Sequence, residues 1–299
     1  MTIGRLRIRL HPLFAIVALL SVLTGYVAEL LVLFGIVLIH ELGHLSAASG
    51  FGWRIVRLQL LPFGGVLEVE QSGIVPAWQE IAVALAGPVQ NAFMIAVAYA
   101  LEWAGVWSGP WTAYFVQANL MIGLFNLLPA LPLDGGKVMQ SLMSLMMPYY
   151  RCLTLGVWIS LAISLFIIGF SLWRAPSSGI HLNLLMIGLF LWWTNWYARK
   201  HVPFQFMRFL VHRSLSSGEF AGRADAAEPI VVGQSTPISD MLKLMKRERR
   251  HLFYVVNGSG VPRAVVPDTV LLKTYLSPRK FPPPAGNFSS WTRPRFHVK

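Results

Sequence analysis

Two histidines and a glutamate lie in a stretch of the chain that is otherwise apolar or small. His40, Glu41 and His44 have the spacing H-E-x-x-H, within the segment from Gly35 to Ala48. In a helix, residues four apart lie one turn apart on the same face, so both imidazoles can reach one metal ion. This spacing is typical of zinc proteases, in which the histidines are ligands and the glutamate is the general base toward water.

The same three residues have a second interpretation, in which they are hydrogen-bonded core groups without a metal. Ionisable side chains inside an apolar segment are costly to bury unless they are paired, and they usually mark function. A glutamate buried between two histidines is hard to satisfy by hydrogen bonds alone. We therefore favour the metal site and look for its third ligand.

Asp134 is the best candidate for that third ligand. A catalytic zinc usually has three protein ligands and leaves the fourth position for water. The chain has one cysteine, Cys152, which excludes a cysteine-rich site. Asp134 is the only aspartate before position 225, and it stands between Pro132 and Gly135, where regular helix ends. The alternative is that Asp134 only caps the helix that follows.

Two asparagines near the candidate ligands could also take part in the chemistry. Asn126 lies eight residues before Asp134 and could offer its amide to a developing oxyanion or to the substrate backbone. An interhelical hydrogen bond explains Asn126 nearly as well. Asn91 gives a weaker prediction of the same kind, and Gly87 with Pro88 is best explained by close helix packing.

The composition indicates a membrane protein. The chain is 55% hydrophobic and 13% charged, whereas about a quarter of a soluble domain is charged. Residues 1–198 carry 8 Lys/Arg against 7 Asp/Glu, and residues 199–299 carry 17 against 6. A basic segment of that kind beside a membrane can lie against anionic lipid. No helix-turn-helix or zinc-finger pattern supports nucleic acid as a direct partner.

Apolar segments long enough to cross a bilayer predict an α-helical polytopic protein with six transmembrane helices. The predicted spans are 11–24, 28–49, 77–103, 111–128, 152–173 and 180–197. The basic start resembles a signal peptide, but no clear small-x-small cleavage site follows it, so we expect a retained first span. An even number of spans puts both termini on one side, and the distribution of Lys and Arg makes that side cytoplasmic.

Between the second and third spans the sequence changes to a strand pattern. Residues 53–60 and 66–70 alternate in polarity, and Pro62-Phe63-Gly64-Gly65 supplies a turn between them. This pattern predicts a small membrane-associated β-hairpin over residues 53–70.

The remainder of the chain predicts a small soluble α/β domain. Residues 199–224 are basic and then contain Ser and Gly, which indicates a linker, and residues 225–278 form the domain. Within it we expect a helix at 237–245, strands at 252–256 and 264–266, and a helix at 268–276. Residues 279–299 form a basic, Pro-containing tail.

Three segments together resemble the signatures of the site-2 protease family of intramembrane zinc metalloproteases. They are His40-Glu41-Leu42-Gly43-His44, Ala86-Gly87-Pro88-Val89-Gln90-Asn91, and the segment 126–135, which reads NLLPALPLDG. The resemblance covers residues 1–198 as a protease domain. It implies that His40, His44 and Asp134 hold one zinc ion, that Glu41 is the catalytic base, and that Asn126 and Pro132 help to position substrate.

Residues 225–278 resemble a single CBS domain, a module that binds adenine nucleotides and commonly pairs with another copy. A protease core followed by a CBS domain is similar to the sporulation branch of the family. That similarity implies a membrane-associated pro-sigma factor, pro-sigma-K, as substrate, inhibitory membrane proteins as partners, and the outer forespore membrane of the mother cell as location. Val270 replaces the aspartate that usually contacts ribose, which argues against nucleotide binding.

Two other functions fit parts of the pattern. A CBS-regulated metal transporter would also place His and carboxylate groups in a membrane, but transporter sites tend to recur in paired repeats, and no second half resembles the first. A catalytically dead scaffold would not need the intact set of candidate ligands.

Overall fold

A computed structural model describes residues 2–3, 6–10, 21–61, 64–70, 75–107, 109–173, 182–215 and 227–277. For the strands in residues 2–10, 54–61 and 64–70 it describes the backbone. The chain divides into two compact units. The first consists of residues 1–141 and 159–195, and the second of residues 142–158 and 196–299.

Among the described residues, six helices of 13 or more residues follow one another along the chain. They are α1 (Val27–Gly50), α2 (Ala77–Trp103), α3 (Gly109–Asn126), α4 (Asp134–Met146), α5 (Tyr149–Trp173) and α6 (Leu182–Leu215). Among the described residues, α1, α2 and α5 are long and apolar enough to cross a membrane. These helices match the predicted second, third and fifth spans to within three residues at each end.

The other three predicted spans have different outcomes. Residues 11–20 of the first span lie outside the described residues, and residues 21–24 are helical. The fourth and sixth spans correspond to α3 and α6, which are helices but do not reach the apolarity of a candidate span. Polar amides in α3, and tryptophans, asparagines and a basic C-terminal part in α6, account for this. The count of six spans stays a prediction.

Close packing of α1, α2 and α3 forms the part of the fold that carries the site. Ile36, Met94 and Ala118 from the three helices make a buried cluster. At Gly43 of α1, a Cβ atom would lie 2.7 Å from the backbone oxygen of Ala86 in α2. The absence of a side chain at Gly43 therefore lets the backbones of α1 and α2 approach closely.

The predicted hairpin is present and belongs to a larger sheet. Strands β3 (Arg54–Leu61) and β4 (Gly64–Glu70) pair antiparallel, as expected. Two further strands near the N-terminus, β1 (Thr2–Ile3) and β2 (Leu6–Leu10), extend the sheet in the order β1-β2-β3-β4, with β2 parallel to β3. The sequence analysis places residues 5–10 in the basic start before the first span, and the strand found there agrees instead with their strict alternation, which has the period of a strand.

In the second unit, a small module follows the long helix. Its elements are β5 (Ala227–Gly233), α7 (Ile238–Lys243), β6 (Arg250–Val256), β7 (Pro262–Pro267) and α8 (Asp268–Leu276). β6 is central, parallel to β5 and antiparallel to β7. Residues buried from the strands and both helices, including Phe253, Met241 and Leu271, form its core. The sequence prediction contained these elements except β5.

The predicted linker differs from the observed structure in its first part. Helix α6 continues to Leu215, so residues 199–215 of the predicted linker are helical. Arg213 near the end of α6 is buried and donates to the backbone oxygens of Lys246, Arg247 and Arg249. Its guanidinium also contacts Asp268 Oδ2 at 2.7 Å. A buried ion pair between Arg213 and Asp268 therefore joins the C-terminal turn of α6 to the module.

Candidate active site

His40 and His44 lie one turn apart on α1, and both are buried. His40 is 2% exposed and His44 is 5% exposed. The two Nε2 atoms are 3.1 Å apart. Helical periodicity alone brings the rings to one face of α1, as the sequence predicts.

Asp134 joins the two histidines from a position 94 residues further along the chain than His40. Its Oδ2 lies 3.2 Å from His40 Nε2 and 3.0 Å from His44 Nε2. Its Oδ1 accepts a hydrogen bond from Lys137 Nζ at 3.0 Å. One carboxylate oxygen therefore faces the rings, and the other is held by a lysine one turn into α4.

The segment that carries Asp134 is held by two polar side chains of α5 and α6. The backbone N–H of Leu131 donates to Ser160 Oγ at 2.8 Å, and Asn195 Nδ2 donates to the backbone oxygen of Leu131 at 2.5 Å. Ser160 and Asn195 are fully buried. The peptide bond between Leu131 and Pro132 is cis. Both backbone polar groups of Leu131 in this irregular segment therefore have a buried hydrogen-bond partner.

Glycines after Asp134 allow the segment to turn back against its own start. A Cβ atom at Gly135 would overlap the backbone carbonyl of Leu127, and one at Gly136 would lie 2.6 Å from the oxygen of Ala130. Neither backbone can move away cheaply, because both belong to the same tight segment. Glycine is therefore required at both positions to place Asp134 beside α1.

The opposite nitrogen of each histidine ring has its own partner. His44 Nδ1 lies 2.7 Å from the backbone oxygen of Val83, and His40 Nδ1 lies 2.5 Å from Asn91 Oδ1. Oxygen atoms of this kind only accept hydrogen bonds, so the hydrogen of each neutral ring is on Nδ1. The Nε2 atoms then carry lone pairs that point toward Asp134 Oδ2.

This arrangement tests whether the residues fit a zinc ion. If both rings are neutral with the hydrogen on Nδ1, two Nε2 lone pairs and a carboxylate oxygen lie 3.0 to 3.2 Å apart and repel one another unless a cation, either a metal ion or a proton, lies among them. Ligand atoms of a tetrahedral zinc with bonds of about 2.0–2.1 Å are ~3.3 Å apart. The observed triangle is close to that size and consists of ligand types that zinc takes, so the residues fit the metal.

Gly87 of α2 provides the space in front of the triangle. A Cβ atom at this position would lie 2.6 Å from His40 Nε2 and would overlap the ring of His44. The sequence analysis assigned Gly87 to helix packing in general. In the structure, the absence of a side chain at Gly87 avoids a clash with the Nε2 atoms of His40 and His44.

Glu41 is buried next to both rings. It is 5% exposed, and one of its carboxylate oxygens lies within 4.8 Å of a ring nitrogen of each histidine. Asp134 Oδ2 lies within 3.2 Å of the Nε2 atoms of both rings. Two buried carboxylates therefore lie beside the two rings, Asp134 as the predicted third ligand and Glu41 as the predicted base.

Of the two residues predicted to position substrate, one precedes the turn segment between α3 and α4 and the other lies within it. Asn126 is the last residue of α3, and its Nδ2 donates to the backbone oxygen of Ile122 at 3.1 Å. Pro132 is exposed, two residues before Asp134. Their roles toward a substrate stay predictions.

Sequence reasoning missed three contributors to the site. Asn91 received little weight, and Asn119 and Lys137 received no role, yet Asn91 and Lys137 contact candidate ligands directly. Asn119 contacts Asn91. The available signal was polarity inside predicted spans, which marks both asparagines.

Comparisons with known proteins identify the family of the chain. The family model described as peptidase family M50 matches residues 28–106 and 103–167. Stage IV sporulation protein FB of Bacillus subtilis is 33% identical over 287 residues, which cover 92% of this chain and 93% of that protein. A zinc metalloprotease of Methanocaldococcus jannaschii is 28% identical over 166 residues, covering 54% of this chain and 46% of that protein.

A solved structure has the same fold. The site-2 protease from Methanocaldococcus jannaschii matches with a TM-score of 0.54 and 26% identity, over 67% of this chain and 93% of that one. The match to the sporulation protein extends over nearly the whole of both chains, so it includes the region that carries His40, His44 and Asp134. The chain belongs to the site-2 protease family, peptidase family M50, and is a membrane zinc metalloprotease of that type.

Proposed function

We propose that the chain hydrolyses a peptide bond of a membrane-associated pro-protein, and that this substrate is the pro-sequence of the sporulation factor pro-sigma-K. In this proposal His40, His44 and Asp134 are the zinc ligands. The observation that carries it is the buried triangle of two Nε2 atoms and one carboxylate oxygen. The extent of the match to the sporulation protein supports the choice of substrate.

The chemistry divides among the residues as follows. With zinc bound, the site gains a Lewis acid that makes water a nucleophile near neutral pH. Glu41 accepts the proton that water loses and passes it to the leaving amine. Asn126 and Pro132, which flank the turn into Asp134, position the substrate backbone. For Asn126 this requires its amide to leave the Ile122 oxygen when substrate binds.

Substrate must reach the site as an extended chain, because a helix shields its own peptide bonds by hydrogen bonding. We propose that an unwound substrate segment adds as a strand to an edge of the sheet. Strand β2 pairs with β3 through residues 57–60, so that edge is covered. The edge formed by β4 is therefore the proposed docking edge.

Proline substitutions in β4 should reveal this docking. The N–H groups of neighbouring residues in a strand point to opposite edges. One of the two substitutions Val66→Pro and Leu67→Pro therefore removes a hydrogen-bond donor from the outer edge of β4, and the other removes a donor that points toward β3. We expect kcat/KM of the outer-edge variant to fall roughly tenfold, because the loss of one main-chain hydrogen bond to the substrate raises the barrier by an amount that corresponds to about that factor. Ile3→Pro in β1 at the opposite edge serves as control. Unchanged kcat/KM in both β4 variants would exclude strand addition at β4.

The module over residues 227–276 is proposed to be a single CBS domain. Its strand–helix–strand–strand–helix order and its three-stranded sheet support this proposal. We propose that copies of the chain associate through it. Adenine nucleotide binding is the weaker part of the proposal, because Val270 stands where the ribose-binding aspartate is usual.

The location and partners follow from the same relationship. We propose a bacterial membrane location, in sporulating cells the outer forespore membrane, with both termini in the mother-cell cytoplasm. Inhibitory membrane proteins are proposed to hold the protease inactive until a signal is received. The predicted even number of spans and the distribution of Lys and Arg along the sequence support this orientation.

Purified chain in lipid vesicles tests the function directly. We expect cleavage of pro-sigma-K, loss of that cleavage on removal of zinc with a chelator, and recovery on addition of about one zinc ion per chain, since three ligands hold one ion. A matched experiment measures zinc uptake into sealed vesicles. Zinc uptake without cleavage would instead support the metal transporter.

A further inference from the structure

Two buried asparagines that the proposed chemistry does not use lie behind His40. Asn91 on α2 is 2% exposed, and Asn119 on α3 is fully buried. Asn91 Oδ1 is 2.5 Å from His40 Nδ1, and Asn91 Nδ2 donates to Asn119 Oδ1 at 3.1 Å. Asn119 Nδ2 donates to the backbone oxygen of Phe115 at 2.9 Å. These groups form one continuous chain of hydrogen bonds that ends on a proposed zinc ligand.

The direction of this chain is set at its far end, because a backbone oxygen can only accept. The backbone oxygen of Phe115 accepts a hydrogen bond from Asn119 Nδ2, and this orients Asn119 Oδ1 toward Asn91. Asn91 then donates through its nitrogen, which turns its own oxygen toward His40. An amide oxygen cannot donate, so the hydrogen in that contact belongs to His40 Nδ1.

We propose that Asn91 and Asn119 are positioning residues that keep the hydrogen of His40 on Nδ1 and hold the ring with Nε2 toward the zinc site. The proposal rests on the proposed zinc ligation by His40. An imidazole with its hydrogen on Nε2 has no lone pair there for a metal. The pair of asparagines therefore selects the form of His40 that can be a ligand.

The surroundings of the pair argue for this use. Both amides are buried, and an amide that is buried without a hydrogen-bond partner is costly. Gly123 leaves room for the Asn91 side chain, since a Cβ atom at Gly123 would lie only 3.3 Å from Asn91 Cβ. Every polar atom of both side chains has a partner within the chain of hydrogen bonds.

A purely structural role predicts a different size of effect. An interhelical hydrogen bond in a membrane protein stabilises the packing of the helices, so its loss lowers stability without changing zinc affinity. Loss of a partner that orients a metal-ligating histidine typically lowers metal affinity by roughly 10–100-fold. Zinc affinity and the ring tautomer therefore distinguish positioning from packing.

The experiment uses the full chain in detergent or lipid, with histidine labelled by ¹⁵N. In zinc-free wild type, at a pH at which the His40 ring is neutral, we expect the signal of an Nδ1–H ring. Asn119→Leu should mix the two tautomers and weaken zinc binding, measured by competition with a chelator, about tenfold. Asn119→Asp should retain both properties, because a buried protonated carboxyl donates one hydrogen bond and accepts another, as the amide does. Thr112→Val, at another buried polar residue of α3, is the control.

Two outcomes would overturn the proposal. A wild-type His40 with its hydrogen on Nε2 does so without any variant having to fold. An Asn119→Leu chain that unfolds at lower temperature but keeps the tautomer and zinc affinity would assign the pair to helix packing. Neither measurement uses cleavage, so a chain that binds zinc through an Nδ1–H His40 and cleaves no substrate would contradict the proposed function and leave this inference standing.

Discussion

Replacing Glu41 with glutamine is expected to lower turnover by about 10²–10⁴-fold while the chain keeps its zinc. Glutamine has nearly the same shape as glutamate but cannot accept the proton of the attacking water. The proposed ligand atoms belong to other residues, since His40 Nε2, His44 Nε2 and Asp134 Oδ2 are mutually within 3.2 Å. Zinc per chain and kcat on pro-sigma-K check the two halves of the prediction.

The matched control for this substitution is Glu29→Gln, which makes the same chemical change in the first turn of the same helix. We expect Glu29→Gln to leave both turnover and zinc content near the wild-type values. Cleavage by Glu41→Gln at a rate near wild type would remove Glu41 as the base. Loss of zinc together with turnover would make Glu41 a ligand instead.

The second large effect is expected from Gly87→Ala, which adds one methyl group in front of the zinc site. The new carbon would lie 2.6 Å from His40 Nε2 and would overlap the ring of His44, so at least one ring must turn away. Interiors are packed too densely to absorb that displacement. We expect zinc affinity to fall by more than about 100-fold, beyond the effect of losing an outer partner of a ligand.

Gly35→Ala is the matched control for Gly87→Ala. Gly35 is also a helical glycine, on α1, and a Cβ atom there would have nothing within 4 Å. Alanine at Gly35 should leave zinc binding unchanged and increase stability by up to about 1 kcal/mol through helix propensity. Thermal unfolding of both zinc-free variants separates a blocked site from a misfolded chain. Wild-type zinc affinity in a folded Gly87→Ala chain would show that the metal lies elsewhere.

Sequence patterns of short range predicted much of this protein. His40 and His44 share a face because four residues make about one helical turn, and that relation needs no tertiary information. The helices α1, α2 and α5 and the β3–β4 hairpin follow in the same way from local periodicity and turn residues. Asp134 could be named because it is the only aspartate before position 225 and lies in a segment broken by proline and glycine.

The tertiary structure decided which distant residues complete the site. Nothing in the spacing between Asn91 and Asn119 shows that α2 and α3 bring their amides together behind His40. The role of Gly87 likewise depends on the distance between two helices. The same holds for β2, whose pairing with β3 joins residues about 50 positions apart and covers one edge of the hairpin, because strand pairing across a long separation depends on the whole fold. Local periodicity places side chains on a face of their own element, and only packing between elements determines what that face meets.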